Sequence, residues 1–397
     1  MTGQYAHQNG LMGLVNCGWS MPEKTRTIVD EFNDAGYETV HCGMQHERSS
    51  DDKNRYSIGM SGKTDDKYPL NTESAYRQAL VYLESRNREK PFYMNIGCHE
   101  VHCTNWMNRV SYNSERRSWY GSENPQTIVL PDWVPDFPAL RDEYASFYAC
   151  ISWFDHQTGK FLKALDKLGV FEDTMVIFTT DHGIASNRAK TTLYDRGTET
   201  ALMIHYPGAS AQTHGELIQN IDLAPTILDA CGLPVPARMA GRSFLPLMTG
   251  QDYKPHPHII TERNFHGGTP WNEELTPGSD SGYDPTRAVK TERYHYIRYF
   301  KDDIPRMWHK DEITYTNDTY TDWFDELLPP QTESRPAEEL FDIELDCQER
   351  FNLASNPEYK PVLDEMRGIL ESWMSNTDDP LLYGDIPDRL NGWENNE

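Results

Sequence analysis

Residues 174–183 read TMVIFTTDHG, and the reading of this stretch decides the fold. Met175 to Phe178 form a short apolar run of strand length, and the chain then turns at Asp181, His182 and Gly183. Upstream, Leu140, Phe147, Ile151, Phe154, Leu162, Leu165 and Leu168 recur at helical spacing, so a long helix leads into the strand. Downstream, TALMIHY (200–206) reads as a further strand and DLAPTILDACG (222–232) as a helix closed by Gly232. Further out, Ile28 and Phe32 followed by Gly36 give a helix, TVHC (39–42) a strand, Tyr76, Leu80 and Leu83 a helix, and PFYMNIGC (91–98) a buried strand. Strands alternating with helices in this way predict an α/β fold, with a mostly parallel central sheet covered by helices on both faces.

The last third has a different pattern. AVKTERYHYIRYF (288–300) predicts a hairpin and ELFDIEL (339–345) a strand, while Tyr359, Val362, Met366, Leu370 and Trp373 share one face of a terminal helix. A catalytic-type α/β domain over 1–275 and a small C-terminal α+β subdomain over 276–397 follow, separated near the Gly/Pro/Asp-rich stretch 267–285. A second loop is marked by Pro125, Pro131, Pro135 and Pro138.

The 397 residues carry 37 Lys plus Arg against 62 Asp plus Glu, a formal charge of −25. Such a surface disfavours a phosphate backbone, which excludes nucleic acid as a partner, but a few local cations and a metal can still make one pocket attractive to a small anion. The seven cysteines (Cys17, Cys42, Cys98, Cys103, Cys150, Cys231, Cys347) form no Cys-x-x-Cys pair and are odd in number, so buried free thiols are expected. No run approaches the roughly 18 apolar residues of a membrane span. Residues 1–20 also lack the basic start and apolar centre of a signal peptide.

In a parallel α/β sheet, ligands gather at the carboxyl ends of strands. Three predicted strands end in reactive side chains: Asp181 and His182 after the first quoted run, His99, Glu100 and His102 after PFYMNIGC, and His46 after TVHC. Asp181 offers a hard oxygen and His182 a nitrogen to a metal ion, although the same triplet with Gly183 also serves as a cap and turn, and two ligands do not complete a site. His99 and His102, three apart, face one ligand if helical or stand as loop residues. Lys190, in NRAKTTLYDRGTE (187–199), can bring a point charge to the same rim.

These stretches fall in a familiar order: TGQYAHQNGLMGL (2–14), AGYETVHCGMQH (35–46), KPFYMNIGCHEVH (90–102), LGVFEDTMVIFTTDHG (168–183), KTTLYDRGTE (190–199), IDLAPTILDACGLP (221–234), RAVKTERYHYIRYF (287–300) and ELFDIELDCQERFNLASNPEY (339–359). In this order the chain resembles the sulfatases of the alkaline phosphatase superfamily, within them the heparan sulfamidase branch typified by N-sulfoglucosamine sulfohydrolase. The resemblance implies hydrolysis of a sulfate ester or N-sulfate on a saccharide, through a formylglycine nucleophile. It places Asp181 and His182 on the family's metal-binding pair and His46 on the histidine of its Gly-Lys-x-His element. His102 falls on the second histidine of His-x-Pro-His, and Lys190 on the basic residue that contacts sulfate. Calcium is the metal implied, with manganese or zinc brought in by the imidazole of His182. Met44 stands where the family has lysine, and Val101 where it has proline.

The family's Asp-Asp metal pair and its Cys/Ser-x-Pro-Ser-Arg nucleophile element precede the segment matching Met1 to Gly3, and no Cys- or Ser-x-Pro-x-Arg string occurs within the 397 residues. The expectation is an N-terminally truncated sulfatase, nearly inactive as given and poorly soluble or molten by itself. A phosphodiester or phosphonate ester hydrolase of the same superfamily and a non-catalytic saccharide-binding remnant are the alternatives. By family, a periplasmic, extracellular or lysosomal location is expected.

Overall fold

Val40 and Cys42 alternate with Thr39 and His41 along Glu38–Gly43, and this period of two lets one strand meet two different helical layers. The computed structural model describes residues 1–15, 19–48, 55–60, 71–102, 123–134, 136, 138–184, 189–266, 282–301 and 335–387. Cys17, Cys103, Pro135 and most of the 267–285 stretch lie outside the described residues. The strands are β1 (Glu38–Gly43), β2 (Ile58–Gly59), β3 (Phe92–Gly97), β4 (Val176–Thr179), β5 (Leu202–His205), β6 (Ile259–Phe265), β7 (Tyr283–Lys290), β8 (Tyr294–Tyr299) and β9 (Glu338–Asp342). The α-helices are α1 (Ala6–Asn9), α2 (Ile28–Asp34), α3 (Thr72–Ser85), α4 (Pro138–Lys167), α5 (Asp195–Thr198), α6 (Leu223–Ala230), α7 (Leu245–Met248) and α8 (Lys360–Thr377).

β2, β1 and β3 form a parallel sheet in that order, with Glu38 opposite Phe92 and Gly43 opposite Gly97. On one face Val40 and Cys42 join Met94 and Ile96 of β3, Ala79 and Leu83 of α3, and Phe161 and Leu165 of α4. On the other, Tyr93 of β3 stacks on Phe32 of α2 at 4.7 Å, in the cluster that also holds Ala224 and Leu228 of α6. The α/β class with helices on both faces is thus what the chain adopts. β3 is half-buried along its length rather than fully buried.

β4 and β5 depart from the parallel expectation. They pair antiparallel, from Val176 opposite His205 to Thr179 opposite Leu202, in a two-stranded sheet of their own. Among its described residues the segment between them holds only the four-residue α5, too short for the helical crossover that returns a chain for parallel pairing.

The four-stranded sheet β6-β7-β8-β9 is antiparallel throughout. β6 precedes residue 275 in the chain, yet pairs with β7. α8 covers one face, where Leu363, Met366, Leu370 and Trp373 pack on Ile260, Val289, Tyr296 and Leu340. The other face holds Ala288, Ile297 and Phe341 against Leu193 and Tyr194. Among the described residues Cys42, Cys98, Cys231 and Cys347 are free thiols, of which Cys231 and Cys347 are exposed rather than buried. No helix among them is long and apolar enough to cross a membrane.

Candidate active site

Parallel pairing brings the ends of β1 and β3 to one edge, and a close backbone approach locks them there. The Met44 N–H donates to the Gly97 carbonyl at 2.9 Å, and a Cβ on Gly97 would lie 1.7 Å from the Met44 oxygen, so only glycine fits. The chain leaving β3 then turns, with the His102 N–H donating to the His99 carbonyl at 2.9 Å and the two imidazole centroids 5.2 Å apart. Glu100 does not join the rim. It is 5% exposed and turned inward, where its Oε2 accepts from both the N–H and the hydroxyl of Thr72 at 2.7 Å. Thr72 opens α3, so the carboxylate sits at the positive end of that helix and anchors the turn carrying the two histidines.

The exit of β4 is fixed in a comparable way. The Gly183 N–H donates to the Gly197 carbonyl at 3.0 Å, and a Cβ on Gly183 would lie 1.7 Å from the Arg196 oxygen. The Lys190 N–H donates to the Ile184 carbonyl at 3.0 Å. Asp181–Ile184 and the segment 189–198 are therefore laced together by main-chain contacts. Asp181 Oδ1 accepts the His182 N–H at 3.0 Å, and His182 Nδ1–H donates to the Gly183 carbonyl at 2.8 Å. That bond leaves Nε2 as the basic nitrogen, 3.4 Å from Asp181 Oδ2 on a side chain 85% exposed.

Electrostatics ties these exits to one another. Burial pushes the His102 imidazole down to about 4; the charge of Lys190, and those of His99 and His182 when protonated, push the same way, and Asp181 opposes them. Lys190, Asp181, His182 and His99 thus act on one ring. His46 is exposed three residues past Gly43 on the same edge, and among the described residues it makes no hydrogen bond or ion pair with Asp181, His182, His102 or Lys190.

An outward-facing carboxylate oxygen beside an imidazole nitrogen whose other nitrogen is committed fits part of a divalent-metal ligand set. Two donor-rich clusters elsewhere are already served by protein cations: His7, Glu262 and Asp379 by Arg287, and Asp195, His295 and Glu349 by Lys290. Sequence reasoning missed both, as it missed the inward role of Glu100. Their partners lie as far apart in the chain as His7 and Glu262, and no local spacing announces them.

The family model described as Sulfatase matches residues 1–233, and that described as N-sulphoglucosamine sulphohydrolase, C-terminal, matches residues 181–312. An ulvan-active sulfatase of Formosa agariphila is 26% identical over 386 residues, covering 96% of this chain and 70% of that protein. N-sulphoglucosamine sulphohydrolase of Homo sapiens is 24% identical over 419 residues, covering 96% of this chain and 80% of that protein. A Bacteroides thetaiotaomicron structure, described under the metabolism of multiple glycosaminoglycans, aligns with a TM-score of 0.70 at 19% identity, over 98% of this chain and 86% of that one.

Proposed function

The chain belongs to the sulfatase family, and we propose on that premise that the rim formed by the β3 and β4 exits binds the sulfuryl group of a sulfated saccharide for hydrolysis. The observation that carries this reading is the convergence of Lys190, His182, His99 and Asp181 on His102. Lys190 brings a cation to this rim of an acidic protein, the charge that a sulfate ester or N-sulfate requires.

Each residue then has a task. Lys190 sets a point charge beside the nonbridging oxygens. Asp181 and His182 would hold a divalent metal, calcium by family with manganese or zinc admitted by the imidazole, which when bound adds positive charge beside those oxygens. His102, neutral near neutral pH in the free protein, regains its proton as the anion enters and passes it to the leaving oxygen or nitrogen, with Lys190 as the second donor. His46, from the adjacent exit, orients the hydroxyls of the nucleophile. The formylglycine nucleophile of the family has no matching string in residues 1–397, so turnover by these residues alone is expected near background. Sulfated glycans as substrates go with a periplasmic, extracellular or lysosomal location.

Binding can be read in the 397-residue chain whatever flanks it in its gene. Calorimetric titration with glucosamine N-sulfate, glucosamine 6-sulfate, glucosamine 6-phosphate and glucosamine should show affinity for the sulfated sugars, lowered about tenfold or more by Lys190→Ala, since a charge-assisted hydrogen bond is worth roughly 1.5–3 kcal/mol. A preference for the phosphate would move the reading to phosphoryl esters. Equal affinity for glucosamine would leave a saccharide-binding remnant.

A further inference from the structure

The segment carrying Lys190 runs straight onto the C-terminal sheet. Leu193 and Tyr194 are buried against Ala288, Ile297 and Phe341, and the Tyr194 hydroxyl donates to Glu339 Oε2 at 2.6 Å. One residue on, Asp195 enters a cluster drawn from three other places in the fold. Its N–H donates to Glu349 Oε2 at 2.8 Å, and its Oδ2 accepts from Lys290 Nζ at 2.8 Å. His295 Nδ1 of β8 hydrogen-bonds Glu349 Oε1 and lies 3.5 Å from Asp195 Oδ1. The side chains of His295 and Glu349 are each 2% exposed.

Among the described residues the charges in this cluster balance when His295 is protonated. Asp195 and Glu349 bring two negative charges and Lys290 one positive, so a neutral His295 leaves a net negative charge around a buried ring and a protonated one cancels it. Asp195 Oδ1 is itself buried without a hydrogen-bond partner, and the His295 nitrogen is the cation that faces it. We propose that His295 is a positioning residue whose imidazolium, held between Glu349 and Asp195, clamps the Lys190 segment to the C-terminal sheet, so that anion binding at the rim weakens when that proton leaves.

This inference rests on the reading of Lys190 as an anion-binding group. Burial opposes the charged ring, but the Glu349 charge and hydrogen bond, with Asp195 behind them, outweigh both burial and Lys290, and the His295 pKa is raised. A raised value means that the clamp is fully present below the ordinary histidine value and is lost, with the proton going to solvent, as pH rises through the elevated one. Among the described residues, Glu349, Asp195 and Lys290 are the charged groups acting on His295, from the 345–349 turn, α5 and β7.

The test compares the 397-residue chain with His295→Lys, which keeps a cation at every pH used, and His295→Gln, which has none. Inorganic sulfate affinity and hydrogen exchange of residues 189–198, corrected for the intrinsic rate, are measured from about pH 6 to about pH 9. The unchanged chain should lose sulfate affinity about tenfold more steeply than His295→Lys, with exchange at 189–198 rising in parallel, and His295→Gln should bind weakly throughout. Identical pH slopes for the unchanged chain and His295→Lys would overturn the clamp, as would unaltered affinity in His295→Gln at the acid end. Exchange in the α4 helix separates global unfolding from release of the segment. If Lys190→Ala binds sulfate as tightly as the unchanged chain, the Lys190 reading falls, while the exchange data still decide whether His295 holds the segment.

Discussion

His102 is a histidine kept neutral by its surroundings, and that makes it a sensor of what enters the rim. Burial comes first among the causes, followed by Lys190. Removing that charge in Lys190→Ala should raise the His102 pKa from about 4 toward the ordinary imidazole value, followed by the chemical shift of its ring protons. An unmoved titration would mean that Lys190 does not face the ring. A sulfate dianion acts in the same direction by favouring the imidazolium, so binding should take up protons and tighten as pH falls from about 7 to about 5, seen as a buffer-dependent heat. The depressed value has the opposite effect on folding: between about 4 and the ordinary value near 6.5 the unfolded chain binds the proton more readily, so stability falls on acidification through that window.

Elements place these residues through close contacts that tolerate little change. Gly183→Ala sets a methyl 1.7 Å from the Arg196 carbonyl, and the overpacking should cost about 1–3 kcal/mol in urea unfolding and weaken sulfate binding, because the β4 exit and the Lys190 segment separate. Gly36→Ala, at a positive φ with open space around it, should lower stability without touching sulfate affinity. What sequence shows and hides at this scale follows from range. The stripe from Leu140 to Leu168 and that from Tyr359 to Trp373 were legible as helices because a period near 3.6 is a local signal, and TVHC was legible from its alternation. The pairing of β4 with β5 was not, since four-residue strands carry no mark of direction. Nor was the inward turn of Glu100, because its partner Thr72 opens a helix 28 positions earlier in the chain. Asp181, His182, His102 and Lys190 could be named from strand exits and resemblance, whereas the His295 cluster depends on pairings spread over 154 positions.

Across the whole molecule, buried ion pairs connect what the chain order separates. Arg287 of β7 makes two hydrogen bonds to Asp379, at 2.7 and 3.0 Å, and lies 3.5 Å from Glu262 of β6, which accepts from His7 of α1 at 2.8 Å. Asp379→Ala takes from the buried guanidinium its two-point carboxylate and should cost about 3–5 kcal/mol in denaturant unfolding, while Arg287→Met with Asp379→Leu removes that pair together and should cost less than the single change, with Glu262 still held by His7. The same sheet that buries this network presses Leu193 and Tyr194 against its opposite face, so the C-terminal strands support the Lys190 segment directly. The most direct test of the account is calorimetric binding of glucosamine N-sulfate to the 397-residue chain and to Lys190→Ala. Binding should be saturable, exceed that of glucosamine and fall about tenfold or more in the variant. Affinity that is the same with and without the sulfuryl group, or the same in both proteins, would contradict it.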